Sequence, residues 1–323
     1  MVVCPLSPVL TAGAATLASP AWERLAGDLD APLRVGVRGR PGAGVRTVVR
    51  ALQAAGTTVC APDAAPNVAP ELEVRVVVET FTAEDLSALS GGRPTVVVLN
   101  KADLIGSTGA GPMVAAVARC RELRRRTGLA AVPLSALVAL AALDPAGLDD
   151  CLIDGGLLDP LRALAGGPAR LSAQVRGRLL ARLDLFGIAT AVTALRDGAD
   201  RIAVRAALRR VSGVDAVCAE IDRAAAPVRY RRMRAVLTEL TGMSAGPAGA
   251  RLAQFLAGDD VVLARMAAAA EVLAAAVMPI PRTGDPLRMA IDWQRYSAGP
   301  VSELHRWCGL DLSRSALRLW DRR

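Results

Sequence analysis

Lysine and asparagine are almost absent from this chain of 323 residues. Lys101 is the only lysine among 39 lysine and arginine residues, and Asn67 and Asn100 are the only asparagines. Arginine therefore supplies positive charge wherever charge alone suffices. The retained lysine indicates a position that needs a slim apolar stem with a point charge rather than a planar fork. Because Asn100 and Lys101 are adjacent, this pair is the first candidate for a functional site.

Aromatic residues, histidine and paired cysteines are also scarce. Aromatics make up 3% of the chain, too few for the stacking platforms that read single-stranded RNA or DNA, which argues against a nucleic-acid partner. His305 is the only histidine and the six cysteines include no Cys-x-x-Cys pair, which excludes a zinc site of ordinary spacing. The net charge of +8 instead favours an acidic partner, such as a phosphate ligand, an anionic membrane or an acidic protein.

Long apolar runs are missing, although hydrophobic residues make up 52% of the chain. The longest, from Val261 to Met278, is interrupted by Arg265 and Glu271 and fits a packed helix better than a membrane span. No lysine or arginine precedes Arg24, so we expect no signal peptide. We therefore expect a cytoplasmic protein, with peripheral attachment to a membrane as the alternative.

Strand and helix patterns alternate over residues 31–145. Apolar, β-branched runs predict strands at 33–37, 57–60, 73–80, 95–99 and 130–137, and the segments between them predict helices at 45–55, 83–89 and 113–127. Such alternation is typical of a parallel sheet with crossover helices. The sequence thus predicts an α/β N-terminal domain with a parallel sheet.

The remaining segments predict a second, all-α domain. Residues 1–30 are expected to form a leader with a helix at 21–29, and residues 146–167 a transition between domains. Residues 168–323 carry apolar positions at helical spacing with arginines on the opposite faces. They predict a helical domain with helices at 171–198, 202–222, 227–242 and 259–277.

A glycine-rich segment follows the first predicted strand and precedes a helix. Its glycines, which would let successive N–H groups converge on an anion, are Gly39, Gly42 and Gly44. The spacing is that of a phosphate-binding loop, but Val45 stands at the lysine position and Arg46 at the hydroxyl position, with Thr47 one residue late. The missing lysine removes a charge-assisted contact worth ~1.5–3 kcal/mol. A simple tight turn is the alternative interpretation.

The segment Asn100-Lys101-Ala102-Asp103 stands at the carboxyl end of a predicted buried strand. It resembles the Asn-Lys-x-Asp sequence with which GTPases read guanine. The resemblance implies that the Asp103 carboxylate accepts two hydrogen bonds from the base, that the Lys101 stem lies along it and that Asn100 ties the loop together. A short polar turn is the alternative. Further on, Ser135-Ala136 resembles the loop whose backbone N–H reads guanine O6.

Residues 31–140 therefore resemble a P-loop GTPase domain of the Ras-like, translation-factor class. The Arg-studded helices that follow, with segments such as Arg182-Leu-Asp-Leu-Phe-Gly-Ile188, are similar to bacterial dynamin-like proteins of the actinobacterial isoniazid-inducible type. The resemblance implies GTP or GDP as ligand. Magnesium is left open, because the Asp-x-x-Gly sequence that positions it is absent between the two loops. Asp63 could approach the phosphates, but nothing in the sequence singles it out.

Three functions remain open at this point. The leading hypothesis is a regulatory guanine-nucleotide-binding protein with slow or no hydrolysis, because most of the apparatus for phosphoryl transfer is missing. The second is a dynamin-like GTPase that acts on an anionic membrane. The third is a nucleotide-free pseudo-GTPase scaffold whose partner is an intact GTPase or a second copy of the chain.

Overall fold

The computed structural model describes residues 4–17, 20–60, 69–79, 93–106, 111–143, 158–245, 249–276 and 284–321. Contacts group the chain into two compact units. We call Leu33–Ile221 the sheet unit, and Met1–Pro32 together with Asp222–Arg323 the helical unit. These units differ from the predicted domains, because residues 168–221 cluster with the sheet and residues 1–30 with the C-terminal helices. Helices α1 (Ser7–Leu17) and α2 (Pro20–Asp30) precede the sheet in the sequence and belong to the helical unit.

The sheet unit is built on four parallel strands that lie in sequence order. They are β1 (Val35–Gly39), β2 (Leu72–Val77), β3 (Thr95–Asn100) and β4 (Ala130–Leu134). Strand β3 is buried from Val96 to Asn100, as expected for an interior parallel strand with apolar side chains on both faces. The predicted mixed α/β fold with a parallel sheet is confirmed. The strand predicted at 57–60 is reduced to a single bridge between Val35 and Val59.

Three helices follow strands directly: α3 (Val45–Ala54), α4 (Pro112–Thr127) and α5 (Ala136–Leu143). Residues Ala116, Cys120 and Leu123 of α4 share a core cluster with Val97 and Leu99 of β3. Arg124, Arg125 and Arg126 lie in the last turn of α4, where positive charge interacts favourably with the helix dipole without any ligand. The helix predicted at 83–89 falls outside the described residues.

Four more helices follow: α6 (Leu158–Gly166), α7 (Ala173–Arg196), α8 (Arg201–Ser212) and α9 (Val214–Ala224). Because α5 is apolar around most of its circumference, it needs cover on several sides. Helices α6, α7 and α8 provide that cover through a cluster that joins Val138 to Leu161, Leu183 and Leu208. Residues 168–221 cluster with the sheet for this reason. The prediction of one helix over 202–222 is wrong, because Gly213 ends α8 with a left-handed φ of 82°.

The helical unit adds α10 (Ala226–Met243), α11 (Gly249–Leu256), α12 (Asp259–Ala275), α13 (Pro286–Ala298) and α14 (Glu303–Asp321). With α1 and α2 they surround a core that includes Leu6, Trp22, Tyr230 and Trp293. The predicted leader therefore contributes to the core of this unit. In the part of the chain that the structure describes, no helix combines the length and apolar character needed to cross a bilayer.

A buried polar cluster connects α10, α12 and α14 inside this unit. The carboxylate of Asp311 accepts a hydrogen bond of 2.7 Å from the Tyr230 hydroxyl and forms an ion pair with Arg265. Burial, reinforced by the Asp311 carboxylate, raises the pKa of Tyr230. Burial also raises the pKa of the Cys308 thiol to about 12. The phenol and the thiol therefore stay neutral. The positive charge that Asp311 contacts belongs to Arg265.

Candidate functional site

All four parallel strands end at the same edge of the sheet, and three of them, β1, β3 and β4, lead into the predicted site segments. The register pairs Gly39, the last residue of β1, with Val76 of β2. It pairs Asn100, the last residue of β3, with Leu134, the last residue of β4. The carboxyl edge of a parallel sheet is the usual place for ligands in α/β folds. The glycine loop (residues 39–44), the segment predicted to read guanine (100–103, called the guanine-reading segment) and the loop predicted to contact the base (133–137, called the base loop) all lie at this edge.

The backbone of the glycine loop alternates in the way that an anion cradle requires. Gly42 and Gly44 have left-handed φ values of 82° and 81°, on either side of Ala43. Such alternation can direct successive N–H groups toward one side. The N–H of Ala43, however, already donates to the carbonyl oxygen of Arg40 at 3.1 Å. At Gly39, an added Cβ would lie 2.6 Å from the carbonyl oxygen of Val76, so a side chain there would push the loop away from β2.

Helix α3 begins directly after this loop, and no side chain caps its first turn. An open helix N-terminus favours an anion. The side chain of Val45 turns back toward the loop, because a Cβ added at Gly39 would lie 3.0 Å from its Cγ2. Arg46 is exposed and Thr47 is half-buried, and neither side chain has a hydrogen bond or ion pair within the described ranges. Both remain free to meet a ligand.

Asn100 connects the glycine loop to the base loop. Its side-chain Nδ2 donates to the carbonyl oxygen of Ala43 at 2.8 Å. Its Oδ1 accepts from the N–H of Ala136 at 3.2 Å. The residue is only 3% exposed, so both bonds are shielded from water. One amide group thereby braces two loops that lie 57 and 36 residues away from it in the sequence.

The next residues present two charges at the same edge. Lys101 is exposed and has φ 56° and ψ 37°, a left-handed conformation that costs a residue with a Cβ about 1 kcal/mol or more. A short 3₁₀ turn, Ala102–Leu104, follows and is anchored by the buried Ala102. Asp103 is partly exposed within this turn, and its carboxylate has no partner among the residues that the structure describes.

The base loop is held in place by hydrogen bonds that its backbone N–H groups donate to residues of other segments. The N–H of Ser135 donates to the carbonyl oxygen of Ser212 at 2.9 Å, and the N–H of Ala136 donates to Asn100. Both predicted base-reading donors therefore have acceptors inside the protein. The N–H of Leu137, one residue further along, has no acceptor within the described residues.

Three contributors to this edge could not be identified from the sequence. Ala43 and Ser212 act through their carbonyl oxygens, and a backbone carbonyl leaves no signature in residue type. Gly213, which lies beside the base loop, resembles any other helix-ending glycine in the sequence. The apolar spacing continues across Gly213, so the sequence contains no signal for the break at this residue.

Alanine at Gly44 should destabilise the sheet unit by about 2–4 kcal/mol, against about 1 kcal/mol for Gly42→Ala. Both positions have nearly the same left-handed φ. A Cβ at Gly44 would lie 2.5 Å from Nδ2 of Asn100 and would break its bond to Ala43, whereas a Cβ at Gly42 meets nothing within 4 Å. Urea unfolding followed by far-UV circular dichroism measures both variants. Equal losses would show that the Asn100 brace contributes little.

No family model, curated protein or solved structure matches this chain. Within the described residues, no group of three or more histidine, cysteine, aspartate or glutamate side chains could hold a metal ion. The position of Asp63, the acidic residue that the sequence offers for magnesium, falls outside those residues.

Proposed function

We propose that this chain binds GTP or GDP at the carboxyl edge of its sheet and acts as a regulatory protein with slow or no hydrolysis. The sheet unit would then be a degenerate P-loop domain of the G-domain type. The observation that carries this proposal is the double hydrogen bond of Asn100 to the glycine loop and to the base loop. An elongated ligand whose two ends contact different loops can bind only if the distance between the loops is fixed. The two hydrogen bonds of Asn100 would fix the distance between the glycine loop and the base loop.

The base would be read by the guanine-reading segment. An unpaired, partly exposed carboxylate at Asp103 can accept hydrogen bonds from N1 and N2 of guanine, and adenine offers no such pair of donors. A mismatched base would leave Asp103 unpaired, a penalty of about 1–3 kcal/mol. Lys101, held in a left-handed backbone conformation beside Asp103, would lay its stem along the base. The open N–H of Leu137 would complement the O6 atom, since Ser135 and Ala136 are already engaged.

The phosphates would lie against the glycine loop and the first turn of α3. Backbone N–H groups would make most of the contacts, with the Arg46 guanidinium contributing charge. Val45 cannot replace the missing lysine, because its side chain is apolar and turns toward Gly39. Phosphoryl transfer depends on positioned charge around the phosphates. Binding without efficient turnover is therefore the expected behaviour, and Thr47 is the nearest hydroxyl for a magnesium ion.

Titration with fluorescent GDP, GTP and ATP analogues, with and without magnesium, tests this proposal. Wild type should prefer the guanine nucleotides, and Asp103→Ala should lower their affinity about tenfold or more. Asp292→Ala is the control, because Asp292 is also partly buried but belongs to the helical unit. Equal binding of ATP and GTP, or an unchanged affinity in Asp103→Ala, would overturn the assignment of the base site.

A nucleotide-free scaffold is the second candidate, and the position of Val45 favours it. An apolar side chain folded against Gly39 lies where a phosphate-binding lysine would be expected. In that case no nucleotide would bind at sub-millimolar concentration, and the edge of the sheet would serve a protein partner. Turnover that is stimulated by anionic vesicles would instead support the dynamin-like alternative.

A further inference from the structure

The junction between α8 and α9 is pressed against the base loop. The carbonyl oxygen of Ser212, the last residue of α8, accepts the N–H of Ser135 at 2.9 Å. Gly213 lies so near that an added Cβ would be closer than 3.0 Å to the carbonyl oxygen of Pro133. The same Cβ would lie 3.6 Å from Cε of Met113 in α4. The junction is therefore packed against the residues that immediately precede the proposed base contact.

Local bonds hold this junction in one conformation. Ser212 is completely buried, its hydroxyl donates to the carbonyl oxygen of Arg209 at 2.7 Å, and it accepts the N–H of Val214 at 3.3 Å. The guanidinium of Arg209 also forms a bidentate pair with Asp215 across the turn, at 2.8–3.1 Å. Because these bonds hold the α8–α9 junction in one conformation, the junction can fix the position of the base loop that packs against it.

We infer that Ser212 and Gly213 are positioning residues for the base loop, so that the placement of α8 and α9 sets the discrimination of this site for the guanine base. The inference rests on the proposed nucleotide function. The path is short: Ser212 holds Ser135, and the next amide, Ala136, is held by Asn100 beside the guanine-reading segment. A displacement of the junction would move the base loop, and with it the open N–H of Leu137, away from the place where guanine O6 has to lie.

Coupling of this kind is reciprocal. If the junction changes the affinity for a nucleotide, a bound nucleotide must stabilise the junction by the same factor. A partner that binds α8 or α9 and strains the junction would then release the nucleotide, which would give a regulatory protein a means of exchange that needs no hydrolysis. The helices that cluster with the sheet would be part of the nucleotide switch.

Gly213→Ala tests the inference, with Gly198→Ala as its matched control. Both glycines follow the C-terminal end of a helix with nearly equal left-handed φ, 82° and 83°, but a Cβ at Gly198 meets nothing within 4 Å. The two variants share the backbone penalty and differ only in the collision with Pro133. The probes are GDP and IDP, because IDP lacks the 2-amino group from which the Asp103 carboxylate would accept a hydrogen bond. Both nucleotides carry O6, so the GDP-to-IDP affinity ratio reports how well the O6 contact keeps the base against Asp103, and a general loss of stability does not change this ratio.

Gly213→Ala should weaken GDP binding at least about fivefold, the lower end of ordinary coupling between sites, and should bring the GDP-to-IDP ratio toward one. Gly198→Ala should leave both quantities unchanged. Hydrogen exchange of the Ser135 amide, measured without nucleotide, should accelerate in Gly213→Ala alone. If Gly213→Ala does not fold, Ser212→Ala provides the same readouts, because it removes the hydroxyl that holds the turn.

The failures of the two proposals are distinguishable. If wild type binds guanine nucleotides but Gly213→Ala and Gly198→Ala behave alike, the positioning role is wrong and the proposed function stands. An unchanged GDP-to-IDP ratio in Gly213→Ala would equally overturn the positioning role. If wild type binds no guanine nucleotide, the proposed function and the inference fail together.

Discussion

Asn100→Asp is expected to lower the free energy of unfolding of the sheet unit by about 2–4 kcal/mol and to abolish nucleotide binding. The substitution keeps the size of the side chain and the acceptor for the Ala136 N–H. It removes the donor to Ala43 and places a carboxylate oxygen against a carbonyl oxygen, 2.8 Å away in the wild type. Because the side chain is only 3% exposed, water cannot compensate. The glycine loop should detach from the guanine-reading segment.

The pH dependence of the stability of this variant provides a second, independent test of the prediction. Burial raises the pKa of an introduced carboxyl group, because the charged form loses its hydration. A protonated carboxyl group regains one O–H donor, which can again reach Ala43. The folded state therefore takes up the proton more readily than the unfolded state. The stability deficit of Asn100→Asp relative to wild type should therefore shrink as the pH falls from the raised pKa of the folded side chain toward the pKa of the unfolded side chain, and stay constant below it. It should grow again as the pH rises through the folded pKa.

Urea unfolding followed by far-UV circular dichroism at several pH values measures this effect. Tryptophan fluorescence is unsuitable for the sheet unit, because all four tryptophans belong to the helical unit. Gln53→Glu is the matched control: it makes the same amide-to-carboxylate change at an exposed position of α3 and should alter stability by less than about 0.5 kcal/mol. A deficit in Asn100→Asp that is equally small, or independent of pH, would contradict the bracing role.

The sequence was sufficient for the parallel sheet because local signals coincide there. The run 95–99 is β-branched and apolar, and it forms the buried strand β3. The guanine-reading segment stood out because lysine and asparagine are otherwise nearly absent, and the residues do lie at a strand end beside the glycine loop. The start of α3 was also predictable, since glycines precede a run of good apolar spacing.

The remainder depends on contacts that a sequence pattern does not contain. The apolar spacing over 202–222 is compatible with one helix, and only the packing of Gly213 beside Pro133 requires the chain to break there. The covering of α5 by α7 and α8 places residues 168–221 with the sheet, although these helices look like those that follow them. Amphipathic periodicity predicts which side of a helix is buried, but not what it is buried against.

Asp311 is the clearest example of this limit, and its replacement is expected to have the largest effect on the helical unit. By sequence, it is an ordinary acidic residue on an Arg-rich helix. In the structure, its side chain is 1% exposed, and its partners Tyr230 and Arg265 lie 81 and 46 residues away. A buried carboxylate is stable only because these two side chains neutralise and hydrogen-bond it.

Asp311→Asn should therefore lower the free energy of unfolding of the helical unit by about 3 kcal/mol, the lower end for breaking a buried pair, since Arg265 is 27% exposed. The amide can still accept from Tyr230, so the loss isolates the charge. Asp259→Asn is the matched control: Asp259 also pairs with an arginine, Arg318, between α12 and α14, but this pair is 33% and 49% exposed and should contribute about 1 kcal/mol or less.

Tryptophan fluorescence during urea unfolding measures both variants, because every tryptophan reports on this unit. A second readout comes from the two tyrosines of the chain, both in the helical unit, whose ionisation is seen in ultraviolet absorbance. The Asp311 carboxylate contributes to the raised pKa of Tyr230, so Asp311→Asn should lower that pKa, while burial keeps it above its ordinary value. If Asp311→Asn and Asp259→Asn destabilised the unit equally, the buried pair would contribute no more than a surface pair. Apolar packing of α12 against α14 would then account for the stability of this unit.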